Sequence, residues 1–264
     1  MSDFDKHTLY ERAVQDPEMT ARFLDALIDG HTESRVLGED FAGTGAVSRA
    51  WVALHEHASA VCVDHDEEPL ERLRNTQSVD VVHCDVMGCD IPVDVLAVLN
   101  FSICEWHTRG DLVRYLTHAH GRLRPGGALV LDLYGGRNAM SVGSYEVEFE
   151  RKGAMVEHRA LRYRWEQQHA DTITGRVRNA MHFQLADGTW ANNAFVYEWR
   201  LWSIAEMRDA LLEASFRSID VHDSLGDALE NDGTLHPRAM TSDDELDDDY
   251  VVYIVARDDA GSRR

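Results

Sequence analysis

The chain has 264 residues, of which 44% are hydrophobic, enough to bury one sizeable core with a smaller appended part. Its formal charge of −21 leaves no basic surface for a phosphate backbone, so we expect neither DNA nor RNA as a partner. No apolar run approaches the roughly 18 to 20 residues that cross a bilayer, and "MSDFDKHTLYERAV" lacks the pattern of a secretory signal. We therefore expect a cytoplasmic protein without a membrane partner.

The leading segment, residues 7–29, has apolar residues at helical spacing on either side of a break near Pro17. Beyond it, apolar strand-like segments alternate with helix-like segments. Strands are predicted at 35–39, 59–64, 79–85, 93–102 and 127–134, and helices at 45–56, 66–75 and 109–123. This alternation predicts an α/β fold, with a doubly wound, mostly parallel sheet that carries helices on both faces.

The pattern changes over residues 145–202, which show no helical period but several candidate strands, at 144–151, 156–167, 175–186 and 193–201. We predict that this segment is an antiparallel β cap inserted after the fifth strand. A helix returns at 203–216, where Ser203 and Glu206 form a capping-box pattern. Strands at 217–222 and 250–257 complete a seven-stranded sheet as an antiparallel pair at its edge. The predicted domains are 1–144 with 203–257, the cap 145–202 and a tail 258–264.

Cysteines and acidic residues give weaker indications of metal binding. The chain has four cysteines at spacings that match no zinc motif, so we expect reduced, buried thiols rather than a zinc site: Cys62, Cys84, Cys89 and Cys104. The run "DDELDDD" at 243–249 favours a solvated loop, with a metal-binding acidic loop as the alternative. We expect no bound metal.

The stretch "VLGEDFAGTG" at 36–45 connects the first predicted strand to the first helix that follows it. Gly43 and Gly45 permit a tight turn and the close approach of backbone N–H groups to a ligand, although a turn alone would also require glycine. Because Ser48 replaces the third glycine of the dinucleotide fingerprint, a pyrophosphate site is disfavoured. The carboxylates of Glu39 and Asp40 would repel a pyrophosphate and suit a cationic, amine-bearing ligand.

Acidic and polar residues also follow the next strands. Asp64 ends the second strand, Asp85 follows the third, and the fourth ends in "NFSICEWH" at 100–107. Each acid alone is typical of a solvated turn. Together they mark the carboxyl edge of a parallel sheet, where such sheets bind their ligands, and they predict a binding site for a ligand with a ribose.

These segments resemble the motifs of the class I S-adenosylmethionine-dependent methyltransferases, over about residues 35–135 and 203–257. "LGEDFAGTG" is similar to their first motif and "VCVDHDEEPLERLR" to their acidic second motif with its helix. "VVHCDV" resembles the third motif, and "HAHGRLRPGGALVLDLY" resembles the approach to the fifth strand. The resemblance implies a Rossmann-like fold and S-adenosyl-L-methionine as the cofactor.

By that resemblance, Gly43 and Gly45 would line the methionine part of the cofactor. Its amino group would lie near Glu39, with Asp40 as the alternative carboxylate. Phe41 stands where the motif usually has its first glycine, so the turn differs from that of the family.

The resemblance places the remaining cofactor contacts on the following strand ends. Asp64 would hold the ribose hydroxyls, with His65 at the edge of the cofactor. Asp85 and Val86 would meet the adenine, and Asn100 would complete the cofactor-binding set.

Methyl transfer needs the acceptor and the methyl group aligned, and a base only when the acceptor carries a proton. His107 is a candidate base, with a role at the helix entry as the equal alternative. Tyr134 is a candidate pocket residue. Arg200, in the cap, is a candidate for positioning the acceptor, and the alternative is an ion pair on an exposed sheet surface.

We expect a methyltransferase that acts on a small molecule at nitrogen, oxygen or carbon. Two alternatives stay open: a nucleotide-cofactor oxidoreductase on a related doubly wound fold, and a sulfonium-cofactor-binding protein without methyl transfer. The sequence does not fix the oligomeric state, and a homodimer is one option.

Overall fold

The computed structural model describes residues 5–28, 35–148, 160–185, 187–226 and 235–258. The chain divides into two compact units. The smaller unit contains Met1–Asp16 and Arg137–Leu201, and the larger unit contains Pro17–Gly136 and Trp202–Arg264. No helix in the described ranges is long and apolar enough to span a membrane.

The helices and strands follow the predicted order closely. The helices are α1 (Lys6–Val14), α2 (Pro17–Ile28), α3 (Ala46–Leu54), α4 (Glu67–Leu70), α5 (Arg109–Arg122) and α6 (Ile204–Glu213). The strands are β1 (Val36–Asp40), β2 (Ser59–Asp64), β3 (Val79–His83), β4 (Val93–Val98), β5 (Leu123–Gly136), β6 (Gly143–Glu148), β7 (Ala160–Asp171), β8 (Arg176–Leu185), β9 (Trp190–Arg200), β10 (Ser218–His222) and β11 (Asp249–Arg257).

The larger unit is built on a seven-stranded sheet with the order β10-β11-β5-β4-β1-β2-β3. β11 runs antiparallel to both β10 and β5, and the other pairs are parallel. The central strand β4 is buried at every position, as expected for a strand covered by helices on both faces. The predicted fold class is confirmed.

Helix α3 packs on this sheet through Trp51, and helix α2 through Phe23 and Leu27, all three buried in one apolar cluster with β4 and β5. The predicted capping box is present, since Ser203 accepts a hydrogen bond from the N–H of Glu206 while the Glu206 side chain accepts from Ser203. Of these helices, α3 directly follows the turn after β1, so its packing fixes that turn at the sheet's carboxyl edge.

The helix predicted at 66–75 is shorter than expected. α4 ends at Leu70, and a 3-10 turn follows at Glu71–Leu73. Pro69, Leu70 and Leu73 are the buried residues of this segment. Leu70 and Leu73 stand three residues apart, the spacing that aligns side chains in a 3-10 turn.

The smaller unit contains a four-stranded antiparallel sheet with the order β6-β7-β8-β9. Parts of two predicted strands, at 149–151 and 156–159, lie outside the described residues, as does most of the predicted tail. α1 belongs to this unit because Leu9 and Tyr10 pack with Phe183 and Phe195 of its sheet. The sequence assigned this helix to the doubly wound domain, since helical spacing reveals an apolar face but not its partner. The predicted domain bounds stay a prediction.

Candidate functional site

The candidate cofactor site lies at the carboxyl edge of the parallel strands. In the sheet, β4, β1, β2 and β3 are consecutive neighbours. Because parallel strands end at the same edge, the loops after these four strands are adjacent. Glu39 and Asp64 lie at the ends of β1 and β2. Asp85 and Asn100 follow β3 and β4.

The turn after β1 uses its two glycines for different reasons. Both have left-handed backbones, with φ 54° at Gly43 and φ 61° at Gly45. A side chain at Gly43 would meet no heavy atom within 4 Å, whereas one at Gly45 would lie 2.6 Å from Leu73. Gly45 therefore serves helix packing, and the open space at Gly43 leaves room for a ligand beside the backbone.

Phe41 has the left-handed backbone that usually belongs to glycine, with φ 57°. Such a conformation costs an L-residue roughly 1–2 kcal/mol. Its ring makes edge contacts with Tyr115 at 6.1 Å and Trp106 at 6.4 Å between centroids. Aromatic packing thus offsets the backbone cost and fixes this side of the turn.

Asp64 joins the ends of the first two strands. Its Oδ2 accepts a hydrogen bond of 2.7 Å from the N–H of Gly43, and its Oδ1 accepts one of 2.9 Å from the N–H of Asp66. A carboxylate has about four acceptor positions, so two remain for hydroxyl groups. His65 is the neighbouring side chain and is largely exposed, with Nδ1 3.8 Å from Oδ1 of Asp64.

Glu39 is a buried carboxylate held by the first turn of α3. Its Oε2 accepts from the N–H of Ser48 at 2.9 Å and from Oγ of Ser48 at 2.5 Å. Burial raises the pKa of Glu39 to about 7, against the opposing effect of the Ser48 hydrogen bonds. The sequence showed Ser48 only as a missing glycine, and the structure gives it the role of orienting this carboxylate.

Asp40 has a different role from the one the sequence allowed. Its two oxygens accept from Nη1 of Arg122 at 2.8 and 2.9 Å, and Oδ2 also accepts from the Tyr115 hydroxyl at 2.8 Å. Burial raises the pKa of the Asp40 carboxyl, and the Arg122 charge opposes that effect. Asp40 therefore anchors the turn to α5, and its assignment as a cofactor contact stays a prediction.

Asp85 and Val86 lie where β3 ends. Asp85 is exposed and caps a short 3-10 turn at Val86–Gly88, accepting a hydrogen bond of 2.8 Å from the N–H of Met87. Val86 is buried. An exposed acceptor beside an apolar side chain is an arrangement that suits the edge and face of a purine ring.

The tip of β4 depends on a residue that the sequence did not single out. Asn100 and Phe101 both have left-handed backbones, with φ 56° and φ 61°. Their N–H groups donate to the two oxygens of Asp132 on β5, at 2.9 and 2.7 Å. In the sequence, "LVLDLY" predicts a strand and gives Asp132 no special role, because no local pattern reveals its partners.

The candidate catalytic residues have separate positions. The ring of Tyr134, near the end of β5, makes an edge contact with Phe101 at 4.9 Å. His107 is half-buried in the loop before α5, whose N-cap is Thr108. Arg200 ends β9 in the smaller unit, opposite Arg176. Their catalytic roles stay predictions.

The face of β9 that carries Glu198 has an ion pair on an exposed sheet surface, which is the alternative considered above for this part of the cap. Glu198 and Arg178 form an ion pair across β8 and β9 with both side chains exposed. On the other face, Tyr197 and Trp199 stack at 4.4 Å between ring centroids. β9 therefore places Tyr197 and Trp199 on one face and this ion pair on the other.

All four cysteines are free thiols, of which Cys62, Cys89 and Cys104 are buried. Burial raises the pKa of the Cys62 and Cys104 thiols. In the described ranges, no group of three or more histidine, cysteine, aspartate or glutamate side chains is placed to hold a metal ion.

No protein-family model matches the chain, and no curated protein sequence matches it. Solved structures do match. An S-adenosylmethionine-dependent methyltransferase from Clostridium acetobutylicum has a TM-score of 0.70 and 15% identity, over 95% of this chain and 96% of that one. DesVI from Streptomyces venezuelae has a TM-score of 0.71 and 14% identity, over 97% and 99%.

A third structure is CalS10 with S-adenosylmethionine bound, an amino pentose methyltransferase from Micromonospora echinaspora. It has a TM-score of 0.66 and 14% identity, over 97% of this chain and 98% of that one. At such identities the likeness establishes the fold. The chain therefore has the Rossmann-like fold of the class I S-adenosylmethionine-dependent methyltransferases, with an antiparallel β cap.

Proposed function

We propose that the chain is an S-adenosylmethionine-dependent methyltransferase with a small-molecule acceptor. The observation that carries the proposal is the bond between the Gly43 N–H and Oδ2 of Asp64, 2.7 Å long. It joins the glycine turn after β1 to the acid at the end of β2. Open space at Gly43 and unused acceptor positions on Asp64 then lie side by side.

The charges of this edge favour a cofactor without phosphates. Glu39 would bind the ammonium group of the methionine part, and Asp64 would accept from the two ribose hydroxyls. Asp85 and Val86 would contact the adenine. A pyrophosphate would face these carboxylates with the same sign of charge, which disfavours a nicotinamide or flavin dinucleotide.

When bound, S-adenosylmethionine supplies an electrophilic methyl group on a sulfonium centre. The chain's residues have to hold the cofactor and exclude misaligned acceptors, because in-line displacement depends on alignment more than on acid-base chemistry. His107 and Tyr134 are the proposed residues on the acceptor side. A small acceptor methylated at nitrogen, oxygen or carbon is compatible with this edge.

Calorimetry with S-adenosylhomocysteine tests the cofactor site. We expect Asp64→Ala to weaken binding tenfold or more, because it removes a charged acceptor from two hydroxyls, each bond being worth roughly 1.5–3 kcal/mol. Asp66→Ala is the matched control, since Asp66 is exposed and caps α4. We expect this control to bind within twofold of the natural chain.

Two outcomes would contradict the proposal. If the natural chain does not bind S-adenosylhomocysteine, or if NAD stabilises it and S-adenosylhomocysteine does not, the cofactor is wrong. If Asp64→Ala binds normally, the ribose lies elsewhere. Transfer itself is tested by incubating the chain with methyl-labelled S-adenosylmethionine and a metabolite extract, and a labelled small molecule distinguishes an enzyme from a protein that only binds the cofactor.

A further inference from the structure

The tip of β4 has an unfavourable backbone conformation. Asn100 and Phe101 are consecutive residues with side chains, and both have positive φ. L-residues visit this region singly and at a cost, so two in succession need a specific support. The tip also carries Asn100, which the resemblance assigns to the cofactor site, and the ring of Phe101, which contacts Tyr134.

Asp132 supplies that support from the neighbouring strand. Each of its oxygens accepts one N–H group, from Asn100 at 2.9 Å and from Phe101 at 2.7 Å. Two successive N–H groups that converge in this way form a concave site for an anion. The carboxylate is buried, so water does not compete for these hydrogen bonds.

We propose that Asp132 is a positioning residue, which in its ionised form holds Asn100 and Phe101 in the conformation that binds the cofactor. The inference rests on the proposed function, because it assigns the tip of β4 to the cofactor site. Asp132 itself touches neither cofactor nor acceptor, and it acts through the two backbone N–H groups.

The environment of Asp132 makes this support sensitive to pH near neutrality. Burial raises the pKa of Asp132 to about 7, although backbone N–H groups of Phe101, Asn100 and Asp132 itself oppose the shift. The surrounding groups are Cys104, whose thiol pKa is raised by burial and then by the charge of Asp132, and Tyr253, its cross-strand neighbour on β11. Among the interactions described for Asp132, none comes from a charged side chain.

The consequence follows from hydrogen-bond chemistry. A protonated carboxyl carries an O–H and no charge, so both N–H groups lose a charged acceptor and one of them faces the weaker hydroxyl oxygen. The tip then has less support against its unfavourable backbone conformation. Cofactor affinity should fall as the pH decreases through 7.

The test compares Asp132→Asn with Asp94→Asn. An asparagine at 132 keeps one acceptor but points an NH2 group at the second N–H. Asp94 is the matched control because it is also buried and accepts from the Val36 N–H at 2.8 Å and from Arg124 at 3.1 Å, at the amino ends of the strands. Hydrogen exchange of a peptide covering 99–104 and calorimetry with S-adenosylhomocysteine are measured at pH 8.

We expect Asp132→Asn to speed exchange at the amides of residues 100 and 101 about tenfold and to weaken binding about tenfold. Asp94→Asn should leave both within twofold of the natural chain. Normal exchange in Asp132→Asn, or equal losses in Asp94→Asn, would overturn the inference. Failure of the natural chain to bind S-adenosylhomocysteine would refute the proposed function instead, while the exchange result still tests the role of Asp132.

A measurement on the natural chain covers the case in which Asp132→Asn does not fold. With a pKa of about 7, the ionised fraction falls about tenfold between pH 8 and pH 6. After correction for intrinsic exchange, the protection of the 99–104 peptide against hydrogen exchange should be about tenfold lower at pH 6 than at pH 8. The protection of strand β1 should not fall. Equal protection of 99–104 at the two pH values would overturn the inference.

Discussion

Glu39→Gln should make the folded chain more stable and at the same time impair its cofactor site. The Glu39 carboxyl is buried, and burial raises its pKa from 4.5 to about 7. The folded state therefore holds this proton more tightly than the unfolded state, so the free energy of unfolding falls as the pH rises from about 4.5 to 7. Glutamine is neutral at every pH and can still accept from Ser48.

The size of the effect follows from the pKa difference. At 1.36 kcal/mol per pH unit, a rise from 4.5 to about 7 corresponds to about 3 kcal/mol. We expect Glu39→Gln to raise the free energy of unfolding by up to this amount at pH 8 and by much less at pH 5. In the same variant, affinity for S-adenosylhomocysteine should fall at least tenfold, because the ammonium group loses its counter-charge.

Urea unfolding of both proteins at pH 5 and pH 8 measures the stability change. Taking the difference between variant and natural chain removes the contribution of Asp132, whose raised pKa gives the same pH trend. Glu198→Gln is the control, since Glu198 is exposed, and its stability should stay within about 0.5 kcal/mol. A loss of stability at pH 8, or an equal gain at both pH values, would refute the reasoning.

Two further predictions concern the turn after β1. Gly43→Val should abolish S-adenosylhomocysteine binding and lower the free energy of unfolding by about 1–2 kcal/mol, because Gly43 has φ 54°. Calorimetry and urea unfolding measure the two effects, and the control is Gly143→Val, at a glycine in open space without a positive φ. Normal binding by Gly43→Val would place the cofactor elsewhere. Arg122→Met should lower the free energy of unfolding, measured with urea, by about 3–5 kcal/mol, because it leaves Asp40 buried without its counter-charge. Adding Asp40→Asn should recover part of that loss. If Arg122→Met alone is as stable as the natural chain, this account of the ion pair is wrong.

The succession of strands and helices along the chain and the acid at the end of β2 could be predicted from the sequence, because both depend on local patterns. Apolar runs identify buried strands, and an acid that directly follows such a run identifies the strand's carboxyl end. The capping box of α6 is local in the same sense. Ser203 and Glu206 are three residues apart and make their contacts with each other.

The supports of the site could not be predicted because their partners are distant in the chain. Asp132 binds N–H groups 31 and 32 residues away, and Arg122 binds Asp40 across 82 residues. Phe41 adds a second kind of difficulty, since a left-handed backbone predicts glycine and here tertiary packing of the ring overrides that preference. Long-range contacts of this kind leave no periodic signal.

The position of β11 has a consequence for biosynthesis. β11 follows every other described strand along the chain, yet it lies inside the sheet between β5 and β10 and pairs with β5 from Asp249 opposite Gly136 to Ala256 opposite Leu129. Until the ribosome has released residues 249–257, β5 presents an unpaired apolar edge. Chains truncated before residue 249 should therefore aggregate on release from the ribosome.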